Sequence, residues 1–262
     1  MTLFDDPSPA AASQPLVRVR LLVAYDGSGF HGFAPQPGMP TVGGTLAEAL
    51  EKVARTPVEL TCAGRTDAGV HAWGQVVHVD LPASTDLDRL HRSLLKLCGP
   101  KIVVREVDRV PDDFDARFSA TSRTYRYRVR NAPVPDPFTA HLAWHVPDPL
   151  DPDLLALACD PFLGEHDFSA FCRRPKGEED VSLVRRVLRA GWTDLGEGDL
   201  RFEIEATAFC HQMVRSIVGT VVAAGGGSPR AGDIRAILAS GDRAAAAPIA
   251  PPHGLTLWQV AY

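Results

Sequence analysis

The order in which strand-like and helix-like patterns follow one another constrains this fold more than any other feature of the sequence. Residues 17–24, VRVRLLVA, alternate apolar and polar side chains and then become wholly apolar, which is typical of a strand whose end enters a core. Residues 44–55 repeat apolar side chains at helical spacing, and Thr41 is a candidate cap. Two strands, a second helix and a further strand are predicted next, at residues 58–62, 75–81, 86–98 and 101–107. This β-α-β-β-α-β order is that of a ferredoxin-like unit, in which two helices cover one face of an antiparallel sheet.

The remainder of the chain repeats this order of elements without an obvious repeat of sequence. A long alternating strand at residues 122–130 and a helix near residues 152–162 come first. A hairpin, a helix, a short helix and a final strand are predicted next, at residues 183–209, 214–222, 234–238 and 255–262. We therefore predict an α+β fold of two ferredoxin-like βαββαβ halves, residues 16–112 and 113–262, with a central cleft where ligands usually bind.

Composition excludes several classes of protein. A chain of 262 residues with 45% hydrophobic side chains can bury a full core, so a disordered or fibrous protein is excluded. The net charge of −5 argues against indiscriminate coating of nucleic acid or acidic membrane, but it allows a local basic patch. Five cysteines without a C-x-x-C pair are typical of reduced thiols in a cytoplasmic protein. Residues 1–15 are expected to form a disordered tail, and no apolar run approaches the length of a membrane span.

Residues 62–79, CAGRTDAGVHAWGQVVHV, place Arg65, Asp67 and His71 in a glycine-bounded loop before an apolar strand. The ordinary interpretation is a solvated turn in which Asp67 accepts hydrogen bonds from the backbone. A metal site at Asp67 and His71 lacks further ligands at suitable spacing, and an RNA-binding module lacks its aromatic strand motif. A catalytic nucleophile is the fourth interpretation. It requires a carboxylate that stays ionised while a substrate encloses it, which a cationic partner favours.

Candidate partners of this loop lie in two other segments. Arg215 flanks the apolar stripe of a predicted helix, where an arginine is commonly solvated or ion-paired. In the strand at residues 122–130, aromatic and basic side chains alternate, so one face is aromatic and the other is basic. Tyr127 is expected to lie in the core. Nucleic-acid binding needs phosphate neutralisation and a flat ring for an unstacked base, and this strand supplies both with Tyr125, Arg126 and Arg128.

The longest motifs of the chain are CAGRTDAGVHAWGQVVHVDL, LLVAYDGSGFHGF, DDFDARFSATSRTYRYRV, FLGEHDFSAFC, ATAFCHQMVRSIVGTVV and GDRAAAAPIAPPHGLTL. Together they resemble the bacterial tRNA pseudouridine synthase A (TruA) family, whose characteristic string is AGRTDAGVHA followed by GQVVHF. The resemblance covers nearly the whole chain after the tail. The chain departs from the family pattern at Ala34, at Gly43 and over residues 94–104.

The resemblance implies roles for individual residues. The family's nucleophilic aspartate corresponds to Asp67, and the arginine that pairs with it corresponds to Arg215. The tyrosine that packs on the target base corresponds to Tyr125, and Arg65 corresponds to the arginine that helps to flip that base. Together with the basic face of the strand at residues 122–130, these roles predict substrate contacts from Tyr125, Arg65, Arg126 and Arg128.

The resemblance also implies an architecture and a reaction. We expect a pseudo-symmetric pseudouridine synthase catalytic domain, a homodimer, and catalysis without a metal ion or an organic cofactor. The expected reaction is the isomerisation of uridine to pseudouridine at positions 38 to 40 of the anticodon stem-loop of tRNA, in the cytoplasm and without a membrane partner. A catalytically inactive tRNA-binding protein is the alternative.

Overall fold

The computed structural model describes residues 15–174, 177 and 181–262. The predicted tail, apart from Pro15, lies outside the described residues. The first half consists of β1 (Leu16–Tyr25), α1 (Val42–Ala54), β2 (Thr61–Cys62), β3 (His71–Pro82), α2 (Leu87–Cys98) and β4 (Ile102–Arg109). The second half consists of β5 (Ser122–Asn131), β6 (Trp144–Val146), α3 (Pro152–Leu157), β7 (Gly164–Asp167), β8 (Val184–Asp194), β9 (Asp199–Ala206), α4 (Met213–Gly225), α5 (Ala231–Ser240) and β10 (Leu255–Ala261).

Helix ends follow from local chemistry. Thr41 has extended backbone angles, and its side chain accepts a hydrogen bond from the Gly44 amide, so the predicted cap of α1 is confirmed. Asp86 caps α2 in the same way through the Arg89 amide. Helix α4 has no side-chain cap. It begins after Gln212, which has a left-handed backbone conformation.

Both halves contain the same strand order. The first half is ordered β4-β1-β3-β2 and the second β10-β5-β9-β8, which is the ferredoxin-like order 4-1-3-2 in each case. The halves join edge to edge through β3 and β10, which run parallel with His71 opposite Thr256 and Ala72 opposite Leu257. The predicted α+β class and the ferredoxin-like halves are thus confirmed. A symmetry axis relating the halves and a boundary at residues 112 and 113 stay predictions.

The joined sheet has one face that the helices cover and one face that they leave open. On the covered face, apolar side chains of the strands and of α1, α2 and α4 form one continuous core, and the open face carries a smaller apolar cluster around Val76 and Ala116. Phe202 and Tyr127 of the covered face are fully buried, as expected for Tyr127. Burying side chains of this size stabilises the fold by roughly 1.5–3 kcal/mol each.

Several predicted boundaries were wrong. Strand β2 has only two residues where five were expected, and the helix near residues 152–162 divides into α3 and a separate 3-10 turn at Asp160–Phe162. Strands β6 and β7 were not predicted. The expectation of five reduced thiols was also wrong, because Cys172 and Cys210 form a disulfide, with Cα atoms 5.8 Å apart. Their separation of 38 residues hid this pairing, since only the folded chain brings them together.

Candidate active site

The Asp67 loop (residues 63–70) connects β2 to β3 and ends where β3 meets β10. Side chains of the strands β1 and β3 form hydrogen bonds with this loop. Gln75 donates to the carbonyl of Gly64 over 2.6 Å, and the hydroxyls of Tyr25 and Thr66 are 2.7 Å apart. The loop therefore has a fixed shape at the seam between the two halves.

Two glycines explain how the loop lies against its neighbours. Gly69 has φ of +77°, a conformation that side-chain-bearing residues rarely adopt. Gly27, just after β1, approaches the loop so closely that a Cβ atom there would lie 2.1 Å from the carbonyl oxygen of Val70. The segment after β1 thus packs directly on the Asp67 loop.

His71 closes the loop at its far end and is 4% exposed. Its Nδ1 accepts from the Gly27 amide at 3.0 Å, and its Nε2 lies 3.0 Å from the carbonyl of His253. Asp26 is also close, with Oδ1 3.1 Å from Nδ1, but burial outweighs this charge and lowers the pKa of His71. The ring is therefore neutral at pH 7 and carries its proton on Nε2. It links the two halves, because it accepts from Gly27 of the first half and donates to the carbonyl of His253 in the second.

Asp67 lies opposite the first turn of α4. Nη1 of Arg215 is 3.1 Å from Oδ2 of Asp67, and Nε2 of His211 is 3.4 Å from Oδ1. Arg215 is itself oriented, because its Nε donates to the carbonyl of Ala250. The side chains of Asp67 and Arg215 are 27% and 13% exposed, so solvent screens this pair only partly. The pair therefore ties the Asp67 loop to the start of α4.

Tyr125 lies beside this ion pair on the covered face. A Cβ atom on Gly64 would lie 3.7 Å from its hydroxyl, and Phe209 packs edge-on against its ring with centroids 5.0 Å apart. Burial and the negative charge of Asp67 raise the pKa of Tyr125 well above its usual value. The phenol is consequently a neutral O–H donor near the carboxylate at physiological pH.

The remaining predicted site residues are Arg65, Arg126 and Arg128. Arg65 belongs to the same loop and is exposed. Arg126 and Arg128 project from the open face of β5, opposite to Tyr125. Arg126 pairs with Glu203 at 2.6 Å, and Arg128 pairs with Asp199. The structure therefore brings Asp67, Arg215 and Tyr125 together, and it separates Arg126 and Arg128 from them.

The metal interpretation of the loop finds no support in the geometry. Both ring nitrogens of His71 are engaged with backbone groups, and Asp67 faces an arginine. Over residues 15–174, 177 and 181–262, no group of three or more His, Cys, Asp or Glu side chains has an arrangement that could hold a metal ion. In the same part of the chain, no helix is both long enough and apolar enough to cross a membrane.

Sequence reasoning missed three supporting residues, which are His211, Gly27 and Tyr25. His211 lies four residues before Arg215, a spacing that does not reveal a contact with a loop 144 residues earlier in the chain. Gly27 and Tyr25 lie in the stretch AYDG, where Asp and Gly indicate a turn but do not indicate packing against the Asp67 loop.

Comparisons with known proteins agree on one family. The family model described as tRNA pseudouridine synthase matches residues 21–119 and 158–262. A protein of Frankia casuarinae named tRNA pseudouridine synthase A is 47% identical over 94% of this chain and 90% of its own length. Proteins of the same name are 40% identical in Brevibacillus brevis and 41% identical in Leifsonia xyli, each over 94% of this chain. These matches cover 99% and 91% of the lengths of the Brevibacillus and Leifsonia proteins, respectively. With the Asp67 loop, Arg215 and Tyr125 at the seam of its sheet, this chain belongs to the tRNA pseudouridine synthase family.

Proposed function

We propose that this protein converts uridine to pseudouridine at positions 38 to 40 in the anticodon stem-loop of tRNA, with Asp67 as its nucleophile. The observation that carries the proposal is the pairing of Asp67 with Arg215, 148 residues later in the chain, in a loop whose backbone also accepts a hydrogen bond from Gln75. Family membership and relatives named tRNA pseudouridine synthase A support the substrate and the reaction. The family resemblance is the support for the anticodon stem-loop.

The reaction is an isomerisation, so its atoms balance within the substrate. The bond between N1 of uracil and C1′ breaks, a bond between C5 and C1′ forms, C5 loses a proton and N1 gains one. An ionised Asp67 can act on the sugar in two ways, either by attack on C1′ or by removal of the 2′ proton. Tyr125 has the position and the retained proton that a stacking and proton-handling residue would need.

The target base has to leave its stack before Asp67 can reach its sugar. Arg65 is two residues from Asp67 and exposed, which suits the proposed role in extruding the base and holding the backbone. Arg126 and Arg128 are proposed to contact tRNA outside the cleft, because they lie on the open face. The protein is proposed to act as a homodimer in the cytoplasm, where tRNA is modified.

Release of tritium from tRNA labelled at C5 of uridine tests the reaction directly, because C5 loses its hydrogen only when the new glycosidic bond forms. We expect release with wild-type protein and a loss of release from tRNA variants without uridine at positions 38 to 40. Tight tRNA binding without any release would instead support the inactive tRNA-binding protein. The intact set of Asp67, Arg215 and Tyr125 favours the enzyme.

A further inference from the structure

The carboxylate of Asp67 has two nitrogen partners, and each takes a different oxygen. Arg215 approaches Oδ2 at 3.1 Å, whereas His211 approaches Oδ1 at 3.4 Å. A carboxylate held at one oxygen can still rotate about its last side-chain bond. Partners at both oxygens fix the plane of the carboxylate as well as its position.

The backbone around His211 is tied down although it belongs to a loop. The preceding residue, Cys210, is linked to Cys172 by the disulfide. The carbonyl of His211 accepts a hydrogen bond of 2.9 Å from the amide of Arg173. Gln212 follows with φ of +66° and ends the loop at the start of α4. These contacts therefore fix the position of the backbone that carries the imidazole of His211.

The imidazole itself is accessible. Its side chain is 44% exposed, compared with 13% for Arg215, and the contact with Asp67 is longer than an ideal hydrogen bond. Hydrogen bonds in sites without substrate are often long and shorten when the substrate encloses them. The geometry thus allows the contact to shorten when RNA covers Asp67 and His211.

We propose that His211 is a positioning residue for Asp67, which holds Oδ1 while Arg215 holds Oδ2, so that the carboxylate meets the sugar in one orientation. This inference rests on the proposed function. A defined orientation of the reacting group is worth several orders of magnitude in favourable cases, and a loosened carboxylate forfeits part of that gain. The cost should appear in kcat, because the contact acts on the reacting group and leaves RNA contacts unchanged.

His211→Leu and His211→Gln separate this role from a merely structural one. We expect His211→Leu to lower kcat about tenfold to thirtyfold while KM for tRNA stays within about twofold. His211→Gln retains an N–H donor and should recover most of the rate. His166→Leu is the matched control, since His166, on the strand β7 at the edge of the sheet, contacts the carbonyl of Leu163 and the ring of Phe168, and the kcat of this variant should be unchanged. The readouts are steady-state tritium release, which gives kcat and KM, and tRNA binding.

Combination with Arg215→Met tests whether both partners act on the same carboxylate. The double variant should lose less activity than the product of the two single losses, because the second change loosens a group that is already free. An unchanged kcat in His211→Leu, or a raised KM with kcat intact, would overturn the proposal. The second result would make His211 an RNA contact. Equal losses in the Gln and Leu variants would also overturn it.

The contact can also be measured without turnover, which separates this inference from the proposed function. We expect Asp67→Asn to shift the imidazole NMR signals of His211 and to leave those of His166 unmoved. If the wild-type protein released no tritium, the proposed function would fail, and this spectrum would still decide the contact. Unmoved His211 signals would rule the contact out.

Discussion

The two faces of β5 differ in function, because one faces the proposed catalytic residues and the other carries charged side chains in contact with solvent. On the covered face, Tyr125 lies next to the ion pair of Asp67 with Arg215, which the protein partly shields from solvent. On the open face, Arg126 belongs to a ladder in which Glu203 also pairs with Arg189, at 2.8 Å. The side chain of Arg126 also covers the ring of Trp258, with 3.8 Å from Cζ to the ring centroid.

The difference lies in how many arginines pair with each carboxylate. Glu203 is shared between Arg126 and Arg189, so removal of one arginine leaves the other in place, together with nearby water. Within the described part of the chain, Asp67 has one arginine at ion-pair distance, Arg215, beside His211. The same residue types should therefore have large effects on the covered face and small effects on the open face.

The largest effect is expected for Asp67→Asn. The amide has the same shape but is neither nucleophilic nor basic at neutral pH, so turnover should fall by at least about a thousandfold while fold and tRNA affinity persist. Tritium release and filter binding measure the two properties. Substantial turnover in protein from a host that lacks the native enzyme would show that Asp67 is not the nucleophile.

The next effect is expected for Arg215→Met. The carboxylate loses its one arginine partner within the described part of the chain, so turnover should fall about a hundredfold, as measured by tritium release. Arg126→Met is the matched control on the open face, where turnover should stay close to wild type. Turnover near the wild-type level in Arg215→Met would argue against a role of the ion pair in catalysis.

Tyr125→Phe should have a smaller effect on turnover. The variant keeps the ring and its packing on Phe209, so tRNA affinity should be retained. Turnover should fall about tenfold to a hundredfold if the hydroxyl handles the proton of the rotated uracil. Wild-type turnover would restrict Tyr125 to a stacking role.

His71 links stability to pH. Because its pKa in the folded protein is lowered by burial, the unfolded chain binds a proton more readily, and stability should fall as pH drops below about 6.5. The slope contributed by this one group is at most about 1.4 kcal/mol per pH unit. His71→Asn should be less stable at pH 7 and should show a flatter dependence between pH 7 and 5 in urea unfolding. His78, whose pKa is also lowered by burial, leaves a residual slope.

The smallest effect is expected for Arg126→Gln and Arg128→Gln. Both side chains already pair with carboxylates, so each change should weaken tRNA binding only about twofold to threefold and reduce its salt dependence slightly. Turnover of bound tRNA should be unaffected. If affinity did not change at any salt concentration, the proposed substrate contacts of these two arginines would be wrong.

Much of the fold could be predicted because the relevant signals are local. Helix α4 repeats apolar side chains on one face, and Val214, Ile217, Val218 and Val221 are all buried as that spacing predicts. Strand β5 has its predicted alternation. Strand β2 was predicted too long, because residues 58–60 alternate in the sequence but find no strand partner in the described sheet, where pairing is limited to Thr61 and Cys62.

The candidate site was predicted in part. The motifs that resemble the family pointed to Asp67, Arg215 and Tyr125, and the structure brings these three together. The contacts of His211 and the close packing of Gly27 could not be predicted, since each depends on residues distant in sequence. The same reason hid the disulfide between Cys172 and Cys210.

The sequence by itself determined which residues alternate, where most helices start and which loop carries Asp67, because periodicity, caps and motifs depend on neighbours within a few residues. It also determined that β5 has an aromatic face and a basic face. Only the tertiary structure decided which of these faces meets Asp67. Strands β3 and β10 join the two halves in one register, and this pairing brings the loop before β3 opposite the first turn of α4. Because that register depends on contacts between residues about 185 positions apart, no local pattern in the chain contains it.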